Sequence, residues 1–181
     1  MNVTGGEMPG PAAGGPLVLM ETSSGEILLE LYPDKAPLTV ANFLRYVDGD
    51  FYRNTIFHRV IRDFMIQGGG LTPRLEEKPA AAPVPNEADN GLSNRRGALA
   101  MARTTAPHSA TCQFFINTAD NPELDFTAAT EAGYGYCVFG SVAEGMEVVD
   151  AIAKTRVSPR GGHEAVPVDS VIILSMSRFE L

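Results

Sequence analysis

Short apolar runs of strand length, each closed off by turn-forming residues, recur seven or eight times along this chain, against only two stretches with a helical apolar face. So many apolar strands would leave exposed edges, a liability that closure of the sheet removes. The count favours a closed, mostly antiparallel barrel with a helix at each end over an α/β layered fold, which would alternate its elements. Leu17–Thr22 and Glu26–Tyr32 flank Ser23-Ser24-Gly25 and read as a hairpin. Further strands are expected from Phe57 to about Ile61 and from Phe64 to Gln67, then at 98–102, 113–117, 136–142 and in the closing S-V-I-I-L-S-M run.

The first helix opens at Asp34-Lys35-Ala36-Pro37, where a proline lacking an N–H costs little. Val40, Phe43, Leu44 and Val47 form its apolar face, and Gly49 is a suitable stop. The second follows Gly145, with Met146, Val149, Ile152 and Ala153 on one side. Between them, residues 71–96 carry Pro73, Pro79, Pro83 and Pro85 and the run N-E-A-D-N-G, which rules out a central strand or long helix there. A loop of that length in a compact domain is functional or wraps the surface.

With 181 residues the chain suits one hydrophobic core, assigned to residues 16–181, behind a flexible Gly- and Pro-rich leader at 1–15. A net charge of −8 disfavours nucleic acid and anionic membranes as partners. No apolar run approaches the ~18 residues of a membrane span. The N-terminus lacks the positive start and apolar core of a secretory signal, which points to a cytoplasmic home. Cys112 and Cys137 sit among apolar neighbours and read as buried free thiols. The absence of heptads gives no reason to expect more than a monomer.

The run from Phe57 to Gly70, F-H-R-V-I-R-D-F-M-I-Q-G-G-G, is the chemical centre of the sequence. In regular strands Phe57 would share a face with Arg59, and Met65 with Gln67, with His58 turned away from Arg59. That pattern suits an apolar pocket with a hydrogen-bond donor at its edge. The glycines lead into prolines rather than into the G-K-[ST] and helix of a phosphate loop, so they read as a tight turn or bulge beside a groove. Adjacent Phe114 and Phe115 must point to opposite faces, one into the core and the other outward as a pocket wall. His58, His108 and His163 have no metal-ligand spacing, and no metal or cofactor is expected. A hydrolase built on Ser109 and His58 lacks any nucleophile motif.

F-H-R-V-I-x-x-F-M-I-Q-G-G-G, P-N-E-A-D-N-G-L-S-N, R-G-A-L-A-M-A-R-T, Q-F-F-I-N and Y-C-V-F-G follow one another in an order that closely resembles the cyclophilin-type peptidyl-prolyl isomerases. The resemblance runs from about Leu17 to Phe179, and the A-P-H-S-A-T-x-Q-F-F-I-N stretch looks most like the bacterial cytoplasmic-type enzymes. It implies an eight-stranded antiparallel β-barrel with two capping helices, and isomerisation of Xaa-Pro bonds in peptides and folding proteins without cofactor or covalent intermediate. Arg59 is then the catalytic residue. Gln67 and the backbone around Ala102 and Arg103 would hold the substrate main chain. Phe64, Met65, Phe115 and Leu124 would line the proline pocket, with Tyr136 where many relatives carry histidine. His58 and Gln113 belong to the same neighbourhood by resemblance.

Three positions depart from the family pattern. Arg62-Asp63 stands where Pro-Gly is frequent, Arg103 replaces an asparagine common in eukaryotic members, and Glu123 falls where those members carry a tryptophan that contacts cyclosporin. Weaker cyclosporin binding than theirs is the expectation. A non-catalytic module using the same groove is the competing reading, although such a module need not retain Arg59, Phe64, Met65, Gln67 and Phe115 together.

Overall fold

The computed structural model describes residues 9–181. Residues 1–8 of the expected leader lie outside the described residues. Residues 9–15 form no strand or helix, and the Ala12 N–H donates to Asp34 Oδ2 at 2.9 Å.

Eight strands close into one antiparallel barrel. In chain order they are β1 (Leu17–Thr22), β2 (Gly25–Leu31), β3 (Thr55–Ile61), β4 (Met65–Gly68), β5 (Ala98–Met101), β6 (Phe114–Asn117), β7 (Val138–Glu144) and β10 (Ile172–Phe179). Around the wall they run β1-β10-β3-β4-β6-β5-β7-β2. Alternation places Val18 and Met20 of β1 and Ile27, Leu29 and Leu31 of β2 inward, all fully buried. Helix α1 (Pro37–Asp48) begins on its proline, ends at Gly49, and buries the expected face of Val40, Phe43, Leu44 and Val47. Phe43 packs edge-on to Phe114, with ring centroids 5.8 Å apart, and also meets Tyr52 and Phe139 at 5.5 and 5.1 Å. Helix α2 (Met146–Ala153) buries Val149, Ile152 and Ala153, while Met146 is only half-buried.

A separate hairpin, β8 (Val157–Arg160) with β9 (His163–Pro167), was not expected from the sequence. Its V-S-P-R strand is exposed along its whole length and carries a proline, so it lacks both the alternation and the apolar content that mark a strand. β9 packs against β3, beside the signature run.

Residues 71–96 wrap the surface and contain only a short 3₁₀ turn, Ala88–Asn90, and an isolated bridge between Leu71 and Glu77. Buried asparagines pin this loop down. The Asn86 side-chain amide donates to the carbonyls of Pro107 and Gly135, and that of Asn90 donates to the Val138 carbonyl, each at 3.0 Å.

Candidate active site

β3 and β4 pair through Arg59↔Gln67, Val60↔Ile66 and Ile61↔Met65, but Phe57 is opposite Gly68. One extra residue, His58, is therefore inserted into β3. This bulge overturns the expectation of a regular strand with Phe57 and Arg59 on one face. Phe57 and Val60, three residues apart, both enter the barrel core, while Arg59 is exposed on the outside. A bulge re-aims the side chains that follow it, and here it directs a guanidinium outward from a strand otherwise buried up to Val60.

On that outer face Met65, Ala100, Phe115 and Val138 form a second apolar cluster, with Phe64, Leu124 and Tyr136 packed against it. Phe114 turns into the main core and Phe115 into this cluster, which is the division that adjacent strand residues require. Above the cluster lies a groove of about 240 Å³ lined by Arg59, Phe64, Met65, Gln67, Ala102, Arg103, Phe115, Leu124 and Tyr136. A larger cleft of about 530 Å³ lies over Ala98, Val138 and Gly140. Pro11, Tyr32, Leu92 and Arg95 also line it, and its Arg96 is paired with Asp150 at 2.6 Å. The smaller groove is the candidate site, because it joins an apolar floor to the arginine and glutamine of the Phe57–Gly70 run.

The donors are held in a chain. Arg59 Nη1 makes one long contact, 3.4 Å, to Gln67 Oε1. Gln67 Nε2 donates to Gln113 Oε1 at 3.0 Å. Gln113 fits there because Gly70 has no side chain: a Cβ on Gly70 would stand 2.5 Å from Gln113 Cγ. Gly69 has φ +90°, a left-handed conformation, and a Cβ there would strike the Phe114 ring at 2.6 Å. The glycine run thus serves packing behind the groove. The turn between β3 and β4 closes through the Phe64 N–H to the Ile61 carbonyl, with Asp63 in the left-handed region at φ 58°. Aspartate is among the few residues that tolerate this region.

Arg103 is fixed more firmly than Arg59. Its Nε donates to the Gly135 carbonyl at 2.9 Å and its Nη1 to the carbonyls of Thr104 and Thr105 at 2.9 and 3.2 Å. The guanidinium stacks 4.8 Å above the Tyr136 ring.

Two residues placed in the site neighbourhood by resemblance do not line the groove. Gln113 stands behind Gln67. His58 is buried at 4% exposure, and its ring lies 5.3 Å from that of His163 on β9. Burial, reinforced by His163 and Arg59, lowers its pKa to about 4, and its Nδ1 finds no hydrogen-bond partner among the described residues.

A polar scaffold behind the walls was missed by the sequence reading. Asn121 Nδ2 donates to the Phe64 carbonyl at 2.9 Å and to Asn117 Oδ1 at 2.8 Å; Asn117 Nδ2 donates to Asn94 Oδ1 at 3.1 Å. Asn94 Nδ2 in turn reaches the carbonyls of Leu124 and Tyr136 and the Asp125 carboxylate at 3.2, 3.3 and 3.0 Å. Three wall residues of the groove are thereby tied to one buried network. Asn94 of the loop motif, Asn117 of F-F-I-N and Asn121 beyond it were the signal, and such polar residues carry no role until their partners are known.

Fold and groove together define a closed β-barrel protein with an apolar-floored groove on its outer face, bordered by two arginines. The model of the cyclophilin-type peptidyl-prolyl cis-trans isomerases matches residues 17–178. Peptidyl-prolyl cis-trans isomerase B of Escherichia coli is 53% identical over 161 residues, covering 89% of this chain and 98% of that protein. A peptidyl-prolyl cis-trans isomerase of Streptomyces antibioticus is 56% identical over 158 residues, covering 87% and 95%. Among solved structures, a cyclophilin-type isomerase of Cryptosporidium parvum, determined in the presence of the dipeptide Ala-Pro, superposes with a TM-score of 0.73 at 27% identity, covering 91% of this chain and 99% of that one. The chain belongs to the cyclophilin-type peptidyl-prolyl cis-trans isomerase family, and its enzyme class is peptidyl-prolyl cis-trans isomerase.

Proposed function

We propose that the groove binds Xaa-Pro segments of folding polypeptides and accelerates their isomerisation with Arg59 as a directed donor to the proline nitrogen. The observation that carries this reading is the state of Arg59: exposed at the rim of an apolar groove, held by one long contact to Gln67, and in none of the ion pairs among the described residues. The reaction has to overcome amide resonance, a barrier of ~18–20 kcal/mol. In the twisted state resonance is lost and the proline nitrogen regains its lone pair. A donor aimed there binds the twisted state better than either planar isomer, which is the requirement for catalysis. No acid, base, nucleophile or cofactor is needed.

Phe64, Met65, Phe115, Leu124 and Tyr136 would seat the proline ring, while Gln67 and the backbone at Ala102 and Arg103 hold the main chain as the acyl side swings. A hydrogen bond to a charged group contributes ~1.5–3 kcal/mol, roughly ten- to a hundredfold in rate. Orientation in the groove supplies the remainder. Gln113 positions Gln67 and thereby Arg59, and His58 acts only by holding the bulge. Two buried free cysteines suit a reducing, cytoplasmic compartment, and a monomer suffices because the groove is complete within one chain.

The test is kcat/KM for a short Ala-Xaa-Pro-Phe peptide. Arg59→Ala should lower it by roughly ten- to a hundredfold with the fold intact by circular dichroism. Arg59→Lys should recover little, since an ammonium lacks the planar fork. Near-full activity of the lysine variant would overturn the directed-donor mechanism.

A further inference from the structure

The groove carries a second guanidinium that is in no ion pair among the described residues. Arg103 is anchored by the carbonyls of Gly135, Thr104 and Thr105 and by the face of Tyr136. Those partners are neutral: they fix the group in space and leave its charge whole. Nε and Nη1 are fully engaged, but Nη2 makes only a 3.5 Å contact, to the Glu131 carbonyl. A guanidinium has five N–H donors, so donor capacity remains at Nη2. Among the described residues the ion pairs are Arg53–Asp50, Arg96–Asp150 and Arg178–Asp48. Neither Arg103 nor Arg59 is in one. Asp125, the carboxylate behind Leu124, is engaged by Ser93 and Asn94, and Glu123, exposed on the Pro122–Leu124 turn, pairs with neither arginine. On a chain of net charge −8, the groove is therefore a local cationic site with an apolar floor.

We propose that Arg103 makes the groove charge-selective, favouring Xaa-Pro segments whose residue before the proline bears an anionic side chain, a carboxylate or a phosphorylated hydroxyl, and disfavouring lysine or arginine there. The inference rests on the isomerase reading of the groove. With the proline ring on the Met65–Phe115 floor and the main chain along Ala102 and Arg103, the preceding side chain passes the one group at the rim that is both charged and immobile. Because Arg103 is already ordered, an anion meeting it loses little of the side-chain freedom that weakens ordinary surface ion pairs. Partial desolvation by Tyr136 strengthens the attraction over its value in water.

The experiment compares kcat/KM for Ala-Glu-Pro-Phe, Ala-Gln-Pro-Phe and Ala-Lys-Pro-Phe peptides at low and at high salt, for wild type, Arg103→Gln and Arg103→Lys. In the wild type the glutamate peptide should exceed the lysine peptide by roughly tenfold at low salt, with glutamine between them, and the ratio should shrink as salt screens it. The ratio should collapse towards unity in Arg103→Gln and survive in part in Arg103→Lys, whatever happens to the absolute rates. A structural role for Arg103 would lower all three peptides together and leave the ratio alone. A phosphoserine peptide distinguishes the two anions: a rate above that of glutamate assigns the preference to phosphate, and a rate at or below it to carboxylate. Equal wild-type rates for the three peptides, or a ratio that persists in Arg103→Gln, overturns the proposal alone. No acceleration of any peptide overturns instead the isomerase reading on which it rests.

Discussion

Single side chains in this protein divide by whether water reaches them. Cys112 and Cys137 are each 3% exposed, and burial pushes both thiols up, that of Cys137 to about 12. Only the thiolate is nucleophilic, so native protein at pH 8 should resist iodoacetamide for as long as an unfolded sample takes to react to completion. Mass spectrometry showing native alkylation at the unfolded rate would refute this. Glu123 is the opposite case, exposed on its turn at the groove's edge. Titration should give cyclosporin a Kd weaker than about 1 µM, and Glu123→Trp should tighten it; submicromolar binding by the wild type would defeat the expectation. Glu123 was singled out only by resemblance, but burial of the cysteines was legible from their apolar neighbours. His58 was not. Its placement depended on an inserted residue that only strand pairing reveals.

At the scale of elements, the groove joins Arg59 of β3 and Phe64 of the turn after it to elements farther along the sequence. β4 and β6 supply Met65, Gln67 and Phe115; the loops around 102 and 124–136 supply the facing wall. Asn94, from the long proline-rich segment, holds the carbonyls of Leu124 and Tyr136. Asn94→Ala removes the donor to the Tyr136 carbonyl, while the Leu124 carbonyl keeps the Tyr136 N–H and the Asn117 amide keeps the Ala98 carbonyl; a buried group left unpaired costs about 1–3 kcal/mol. Urea denaturation should show a loss of about 1–3 kcal/mol, and the variant that remains folded should show a raised KM as the wall loosens. Unchanged stability would mean that water replaces the amide and that the network is not a scaffold. The strands themselves were readable from apolar runs bounded by glycine, proline and serine, and the helices from their 3.6-residue faces. The β8–β9 hairpin was not, because an exposed strand has no apolar period to detect.

For the whole molecule, stability and pH are linked through the packing of β9 on β3. His58 titrates at about 4 when folded, against 6.5 for a free imidazole, because burial disfavours its charged form and His163 and Arg59 face it. Its pKa is depressed by folding, so between pH 6.5 and 4 the unfolded chain binds the proton and the folded chain does not. Stability is complete above about pH 6.5 and falls as the pH drops through that window, by about 2–3 kcal/mol at pH 4.5. Asp48 and Asp150, held low by Arg178 and Arg96, are exposed and act below the usual carboxylate range, outside the window. Urea midpoints for wild type and His58→Gln at pH 7 and 4.5 should therefore converge at the lower pH; an unchanged gap would place the pH sensitivity elsewhere. The sequence by itself determined the inventory: short apolar strands sufficient for a barrel, two amphipathic helices, and an arginine, a glutamine and aromatic residues clustered around Phe57–Gly70. These are local properties, set by side-chain period and turn chemistry within a few residues. Only the tertiary structure decided where that chemistry points. The bulge at His58 turns Arg59 out of the core, Gly70 admits Gln113 behind Gln67, and Tyr136 meets Arg103 across 33 positions of chain. Such relations depend on register and on contacts between distant segments, which no local pattern encodes.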